Sequence, residues 1–208
     1  MRPRNGRTCS NVCEERLIRI AAVHGQTLNA SQLGKSLDIS YKTVKSYLGY
    51  LEGAFLIRQL QPYFTNLKKR LVKSPKLYWR DSGLLHSLLN VQNEDNLLSA
   101  PWVGASWEGF IIEQVINALK LRDMTFWPYF LRTNDGYEID LVLDFGKEKW
   151  AIEIKLTSAP DLSAIQKLNK AADLIDASRR ILISRTTDNI DNGKVVSCNL
   201  EWFIKDLA

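Results

Sequence analysis

The chain has 208 residues, of which 45% are hydrophobic and 25% charged, which is typical of a globular protein with one large domain or two small ones. Its net charge of +5 is unevenly spread, because residues 1–90 carry +10 and residues 91–208 carry −5, so the front half favours a polyanionic partner. No apolar run approaches the ~20 residues of a membrane span, and no secretory signal is visible, so we expect a cytoplasmic protein without a membrane partner.

Three helices are predicted in the N-terminal part of the chain. Apolar residues at helical spacing mark the first over residues 14–23. The second covers residues 30–37, where Asn29 begins a capping box. Ser40 caps the third helix, which covers residues 41–52 and carries an apolar stripe on one side.

Two strand candidates follow, at residues 54–60 and 76–80. Three helices and a β-hairpin predict a winged helix, in which the third helix lies in the major groove of DNA. Contacts to the DNA backbone are expected from the polar side of that helix, namely Tyr41, Lys42, Thr43, Lys45 and Ser46. The alternative is a winged helix that serves only packing or dimerisation.

The loop between the two strands is a second candidate surface for nucleic acid. It mixes cations with aromatic residues, a composition that suits nucleic acid. The cations are Lys68, Lys69, Arg70 and Lys73, and the aromatic residues are Tyr63, Phe64, Tyr78 and Trp79. In the alternative interpretation the aromatic residues belong to the core and the cations are solvated.

A helix that begins at Asp81 completes a first domain over residues 1–90, and the polar residues 91–103 are the predicted linker. The second domain, residues 104–208, alternates helices and strands, which predicts an α/β (α+β) fold with a mixed central sheet. Its helices are expected at 106–121 and 161–172, and its strands at 127–131, 137–144, 150–156, 180–184 and within 195–204.

Two of these strands form a hairpin that carries several acids. A four-residue turn at 145–148 places Asp140 opposite Glu153, and Glu138 opposite Lys155. Opposed side chains have Cβ atoms about 4.5–5.5 Å apart, so two carboxylates there require a shared proton or a cation such as Mg²⁺ or Mn²⁺. The alternative is an ordinary hairpin with one wet face.

Strict alternation of side chains also fixes which hairpin residues share a face. Ile139 and Val142 are expected on opposite faces of the sheet. Ala151 is expected on the same face as Glu153.

The acids of this hairpin carry a first resemblance. Asp140 followed by Glu153-x-Lys155 resembles the PD-(D/E)XK signature of restriction-endonuclease-like nucleases, although Ile139 replaces its proline. The resemblance implies that Asp140 and Glu153 bind a divalent metal ion and that Lys155 assists phosphodiester hydrolysis. The sequence leaves open whether Asp135 or Glu138 competes with Asp140 for the cation.

In that superfamily a preceding helix supplies a third acid. Glu108 is the best match here and Glu113 the second, so the expected metal ligands are Glu108, Asp140 and Glu153. Gln166 loosely matches a glutamine that a later helix often carries. Many members of the superfamily are inactive, so the resemblance by itself does not imply cleavage.

A second resemblance covers nearly the whole chain. The segments 48–52, 60–63, 81–85 and above all KRLVKSPKLY at 69–78 resemble the C-terminal domain of unknown function that follows the ATPase core in many AAA-type proteins of bacteria and archaea. This implies an ATPase module upstream or in trans. No G-x-x-x-x-G-K-S/T motif is present, so we expect a C-terminal piece or truncated relative with no nucleotide site.

Three functions remain open on the sequence. The first is a DNA-binding, nuclease-like module of an AAA-type ATPase that binds the DNA backbone and a divalent metal. The second is an active Mg²⁺-dependent endonuclease or exonuclease. The third is an interaction or regulatory module of the ATPase that binds no nucleic acid.

Overall fold

The computed structural model describes residues 9–63 and 72–207. Helices and one mixed β-sheet confirm the predicted α/β class. The chain divides into two compact units: Met1–Gln59 with Lys76–Val103, and Leu60–Pro75 with Gly104–Ala208. Within the described ranges, no helix combines the length and hydropathy that crossing a bilayer requires.

The first unit begins with the three predicted helices, α1 (Cys9–Ala21), α2 (Ala30–Leu37) and α3 (Tyr41–Gly53). Both predicted N-caps are confirmed. The Asn29 side chain accepts a hydrogen bond from the backbone of α2, and Ser40 does the same for α3. Each cap satisfies a backbone N–H that has no partner inside its helix.

Strands β1 (Ile57–Pro62) and β2 (Lys76–Trp79) follow, and then helix α4 (Ser82–Leu88) with Asp81 as its N-cap. The segment predicted as a linker contains a further short helix, α5 (Glu94–Ser99). Its residues are all half-buried or exposed, so no apolar periodicity marked it in the sequence.

His24 fixes the end of α1 to β2 in the first unit. Its Nδ1 accepts a hydrogen bond of 3.0 Å from the backbone N–H of Trp79, and its ring meets the edge of Tyr78 at a centroid distance of 5.4 Å. His24 is 5% exposed, so this bond is formed away from water. The hydrophobic core around it takes residues from all of α1–α4 and both strands, including Ile20, Leu33, Val44, Leu48, Ile57, Leu77, Trp79 and Leu85.

The second unit is built from the remaining elements. They are α6 (Val103–Leu121), β3 (Trp127–Arg132), β4 (Glu138–Asp144), β5 (Lys149–Ile154), α7 (Leu162–Asp173), β6 (Arg179–Ser184), β7 (Ile190–Asp191), β8 (Val195–Asn199), the short α8 (Leu200–Trp202) and a π-helical turn (Phe203–Leu207). All the strands and helices predicted there are present, and β7 and the C-terminal helical turns are additional.

The strands hydrogen bond in the order β2-β1-β3-β4-β5-β6-β8-β7. Residues 57–59 of β1 belong to the first unit and residues 60–62 to the second. In the second unit β3, β4 and β5 are antiparallel neighbours, whereas β5, β6 and β8 are parallel. The predicted mixed sheet is therefore confirmed, and the carboxyl ends of β5, β6 and β8 lie at one edge of it.

The predicted turn between β4 and β5 is also confirmed, because Asp144 pairs with Lys149 across residues 145–148. Strict alternation is wrong for β4. Leu131 of β3 pairs with Ile139, but Tyr129 pairs with Val142, so β4 carries one extra residue and forms a bulge. Ile139 and Val142, expected on opposite faces, consequently belong to one core cluster.

The alternative interpretation, an ordinary hairpin with one wet face, is also wrong. Val142 and Ala151 are fully buried in the cluster that α7 forms with the sheet, and Leu141 and Ile152 are fully buried as well. Apolar residues therefore cover both faces of the β4–β5 pair. Polar groups of these strands emerge only near the strand ends.

Arg180 of β6 fastens α7 to the sheet. Its guanidinium donates to the Asn169 carbonyl at 3.3 Å, to the Asn169 side chain at 3.0 Å and to the Asp173 carboxylate. The Arg180 side chain is 8% exposed and that of Asp173 is 64% exposed. The Arg180 side chain thus connects the buried strand β6 to Asp173, the solvent-exposed last residue of α7.

Gly34 permits the close approach of α2 to the turn before α3. A Cβ atom at this position would lie 2.8 Å from the carbonyl oxygen of Ile39 and 3.4 Å from a methyl group of Val44. We expect Gly34→Ala to lower the free energy of unfolding by about 1–3 kcal/mol through overpacking. Urea denaturation measures this difference.

Gly49→Ala is the matched control, because Gly49 lies on α3 with no atom within 4 Å of the added Cβ. It should stabilise the helix by up to about 1 kcal/mol, the propensity difference between glycine and alanine. Equal effects of the two substitutions would contradict the proposed close approach.

Candidate functional site

Asp140 lies at the β4 bulge, near the end of the buried strand pair. It is 6% exposed, and its Oδ2 accepts a hydrogen bond of 2.9 Å from the backbone N–H of Ile154. This bond lies just beyond Leu141 and Ile152, where the β4–β5 pairing ends. It holds the carboxylate of β4 beside the last residues of β5.

Glu153 and Lys155 form an ion pair at the end of β5. The distance from Glu153 Oε1 to Lys155 Nζ is 2.6 Å, and the two side chains are 14% and 45% exposed. The backbone N–H of Lys155 donates to Ile183 of β6 at 2.9 Å, which fixes the lysine just beyond the strand. The pair therefore joins a largely buried carboxylate to an ammonium group that reaches solvent.

The environment raises the pKa of Glu153 above its ordinary value. Burial is the largest cause, because it disfavours the charged carboxylate. The hydrogen bond and charge of Lys155 act in the opposite direction, and the negative charges of Glu138 and Glu108 add to the rise. Glu108, which lies on α6, is thus close enough to act on a residue of β5.

The same acids act on Lys155. Burial by itself would lower the pKa of its ammonium group, but the hydrogen bond and charge of Glu153 outweigh it, and the net pKa is raised. Asp140 and Glu108 contribute further in the same direction. The four predicted residues Glu108, Asp140, Glu153 and Lys155 are therefore brought together in one electrostatically linked group, which we call the carboxylate cluster.

The donor set of the carboxylate cluster fits a hard divalent cation. Several carboxylates surround a single ammonium, so an added positive charge would offset the excess of negative charge. Among residues 9–63 and 72–207, no three His, Cys, Asp or Glu side chains already stand in the arrangement of a metal site. A cation would need a rotation of Glu153 away from Lys155.

The other candidate acids and Gln166 occupy different positions. Glu113 is 3% exposed and lies five residues beyond Glu108 on α6, which puts it on another side of the helix. Glu138 pairs with Arg132 of β3 at 3.9 Å. The β4–β5 pairing ends at Leu141 and Ile152, so the position of Glu138 opposite Lys155 stays a prediction. Gln166 is exposed on α7.

Helix α3 has the two sides that the sequence predicts. Val44 and Leu48 are each 1% exposed, whereas Lys42, Lys45 and Ser46 are exposed. The Lys45 ammonium lies 4.9 Å from the centre of the Tyr41 ring, and Tyr41 is 46% exposed. Thr43 is half-buried, and both its backbone N–H and its hydroxyl contact Ser40, so it serves the helix cap.

The second candidate surface is described only in part. Lys68, Lys69 and Arg70 lie outside the described residues, and Lys73 is exposed. Tyr78 and Trp79 are 0% and 2% exposed. These two rings are core residues, which corrects the interpretation that they stack on nucleic acid.

Trp107 and Arg185 are two residues that the sequence patterns did not single out. Both line a cleft at the carboxyl ends of β6 and β8. Trp107 directly precedes Glu108, so its position beside a candidate acid was the available signal. Arg185 follows a buried strand, and only the strand order of the sheet brings it near α6.

Two family profiles match the chain. Residues 14–95 match a domain of unknown function (DUF8612), and residues 103–203 match a second domain of unknown function (DUF4143). Domains of the second family typically form the C-terminal part of AAA-ATPase-like proteins. Both profiles describe domains of unknown function, so these matches assign no activity to the chain.

Two curated mycobacterial proteins are similar to this chain. The uncharacterized protein Rv2008c of Mycobacterium tuberculosis and the uncharacterized protein Mb2031c of Mycobacterium bovis are each 40% identical to it over 144 residues. The alignment covers 69% of this chain and 32% of each relative. The chain thus corresponds to about a third of the length of these proteins.

The raised pKa of Glu153 predicts a pH dependence of stability. Because the folded state holds this proton more tightly than the unfolded chain, the contribution of Glu153 is fully present below the ordinary pKa of 4.5 and is lost as the pH rises through the folded pKa. The free energy of unfolding of Glu153→Gln, relative to that of the unmodified chain, should therefore increase with pH. Urea titrations between about pH 4 and pH 8 measure it.

Glu148→Gln is the control for the loss of one negative charge, because Glu148 is exposed in the turn at the opposite end of β5. A difference between Glu153→Gln and the unmodified chain that stays constant with pH, or falls as pH rises, would contradict the inferred burial of the charge.

Proposed function

We propose that this chain is a DNA-binding, nuclease-like module of an AAA-type ATPase, with a divalent-cation site in its second unit. The observation that carries the proposal is the carboxylate cluster, in which Glu108, Asp140 and Glu153 all act on Lys155 and Glu108 also acts on Glu153. A PD-(D/E)XK site consists of one acid from a helix, one acid from each strand of a hairpin, and a lysine two residues after the acid of the second strand.

The fold supports both halves of this proposal. Three helices followed by neighbouring strands β1 and β2 agree with a winged helix in the first unit. In the second unit, a helix precedes a mixed sheet whose central hairpin bears the acids, as in restriction-endonuclease-like proteins. We therefore propose these two fold families for the two units.

In the proposed site Glu108, Asp140 and Glu153 would hold Mg²⁺ or Mn²⁺. Such an ion supplies a water of lowered pKa and screens the charge of a phosphodiester. Lys155, once released from Glu153, can place its ammonium against a phosphate oxygen. Asp140 stays fixed by the Ile154 N–H, so one ligand is preorganised by the sheet.

The first unit would supply most of the affinity for DNA. The first unit, residues 1–59 and 76–103, holds 11 Lys and Arg against 7 Asp and Glu, a net charge of +4, and the exposed side of α3 presents Lys42, Lys45 and Tyr41. None of these is an arginine or asparagine suited to paired contacts with a base, so we propose backbone contacts without sequence preference.

The ATPase partner is proposed from the family and from length. DUF4143 domains typically end AAA-ATPase-like proteins, and the aligned residues amount to 32% of each mycobacterial relative. The remaining two thirds of such a protein leave room for an ATPase core. We propose that the core delivers DNA to the module or is regulated by it.

One observation favours a second candidate, a DNA-binding module that does not cleave. Lys155 already neutralises Glu153 at 2.6 Å, so the carboxylate cluster is able to exist as an internal ion pair. In that case the acids stabilise the end of the β4–β5 hairpin, and the chain targets the ATPase to DNA. A module that contacts only other proteins is the third outcome of the experiments that follow.

Asp140→Asn tests the catalytic proposal. The unmodified chain should nick supercoiled, branched or single-stranded DNA in Mg²⁺ or Mn²⁺, and Asp140→Asn should abolish the activity because a ligand fixed by the sheet is removed. Thermal denaturation gives an independent measure, since a cation at about 100 times its Kd adds about 2.7 kcal/mol to the free energy of unfolding. That gain should disappear in Asp140→Asn.

Glu148→Gln removes the same charge at the exposed turn and should keep both the nicking and the cation-dependent stabilisation. Nicking that survives in Asp140→Asn would point to a different site or a contaminant. If the cation stabilises the protein but no nicking occurs, the result would support the DNA-binding module that does not cleave.

The charge on α3 is tested by the salt dependence of DNA binding. Each phosphate that a lysine neutralises contributes about 0.9 to the slope of log K against log salt, so the double variant Lys42→Ala with Lys45→Ala should reduce the slope by about 1.8. Arg19→Ala, which removes an exposed cation of α1, is the control. An unchanged slope in the double variant would show that α3 is not part of the DNA-binding surface. If no variant and not even the unmodified chain binds DNA, the module that contacts only other proteins would be the remaining function.

A further inference from the structure

A cleft of about 480 Å³ opens in the second unit where β6 and β8 end. Ser184 and Asn199, the paired last residues of these parallel strands, line it together with Trp107 of α6. Ligands of open α/β sheets bind outside the carboxyl ends of the parallel strands. The cleft therefore has the position of a ligand site.

The cleft adjoins the carboxylate cluster. Trp107 directly precedes Glu108, and the backbone of Lys155 is bonded to Ile183, the residue before Ser184, at 2.9 Å. The backbone N–H of Arg185 donates to Thr157 at 2.8 Å, so the chain beyond β5 and the chain beyond β6 run together at this edge. A molecule in the cleft would extend toward Lys155.

Two polar groups of the cleft have no partner within the described residues. The Nε1–H of Trp107 is buried and makes no hydrogen bond, and the exposed Arg185 guanidinium makes no side-chain hydrogen bond or ion pair there. Asn199, by contrast, is fully engaged, since it accepts from Trp202 and donates to Thr186. The Nε1–H has no exposed surface, whereas the Arg185 guanidinium is exposed and open to an anionic ligand.

The lining combines apolar surface with cations. Leu200, Ile204 and the ring of Trp107 supply the apolar part, and Arg185 and Lys205 the positive charge. Lys205 is paired with Glu201 at 2.5 Å, but both side chains are more than half exposed, so the pair is weak and readily exchanged. An aromatic ring beside cations is the surface on which a base stacks while its phosphate is bound.

We propose that this cleft holds one nucleotide of a DNA single strand, next to the phosphodiester that the carboxylate cluster would receive. The base stacks on the ring of Trp107, and the phosphate meets Arg185 and Lys205. This assignment rests on the proposed function for its substrate class. It adds that the second unit selects an unpaired nucleotide.

The experiment measures binding of a fluorescein-labelled single strand of about 12 nucleotides, within the site size of single-strand-binding folds, by anisotropy in EDTA so that nothing is cleaved. It uses the Lys42→Ala, Lys45→Ala background, which reduces the contribution of α3. Trp107→Ala should weaken binding roughly 5- to 150-fold, the range for removing one stacked base. Arg185→Ala should lower the salt slope by about 0.7, the value for one phosphate neutralised on a single strand.

Trp127→Ala and Arg122→Ala are matched controls in the same unit, because Trp127 is 54% exposed and Arg122 is exposed, and neither lines the cleft. Trp107→Phe keeps a ring and should retain most of the affinity, which separates stacking from misfolding. If Trp107→Ala and Arg185→Ala bind as the controls do, or if the background protein binds no single strand, the cleft assignment is wrong.

These outcomes are separate from those of the proposed function. If the cleft variants lose binding and no protein nicks DNA, the assignment of the cleft is supported and the proposed catalysis is contradicted. If nicking depends on Asp140 but the cleft variants bind normally, the proposed catalysis is supported and the assignment of the cleft is contradicted.

Discussion

The ion pair between Glu153 and Lys155 is the contact on which the chemistry of the second unit depends. Both faces of the β4–β5 pair are covered by apolar residues, so a charged side chain on these strands is destabilising unless it lies near a strand end and meets an opposite charge. Glu153 satisfies both conditions at a distance of 2.6 Å from Lys155. The two remaining linked acids, Asp140 and Glu108, arrive from the neighbouring strand and from α6, and they make the group more negative than one lysine balances.

Local sequence signals predicted most of the fold. The caps Asn29 and Ser40 and the four-residue turn before Lys149 depend on short-range hydrogen bonding, which the residue types reveal. Alternation failed in β4 because a bulge depends on how β3 packs beside it, and no residue in the sequence marks the extra position. Short elements with few buried residues, α5 and β7, carried no periodicity to detect.

The members of the carboxylate cluster were predicted from a motif, whereas their arrangement is tertiary. Spacing alone left Glu108 and Glu113 as alternatives, and only the rotation of α6 against the sheet makes Glu108 the acid that acts on Glu153. The unpartnered Trp107 Nε1–H and the cleft with Arg185 follow from the order of β6 and β8 in the sheet. Sequence spacing places these residues 78 positions apart, so no pattern along the chain could have joined them.

The uneven charge of the chain bears on how metal and DNA binding would be coupled. Residues 91–208 carry −5 and would repel a polyanion, whereas residues 1–90 carry +10 and attract it. A divalent cation in the carboxylate cluster reverses the local sign where a phosphate must approach. Under the proposed function, DNA and cation therefore favour each other's binding, and thermodynamic linkage requires that coupling to be equal in both directions. The internal Lys155 performs part of the same neutralisation before the cation binds, which explains how a buried, acid-rich strand end remains stable in the free protein.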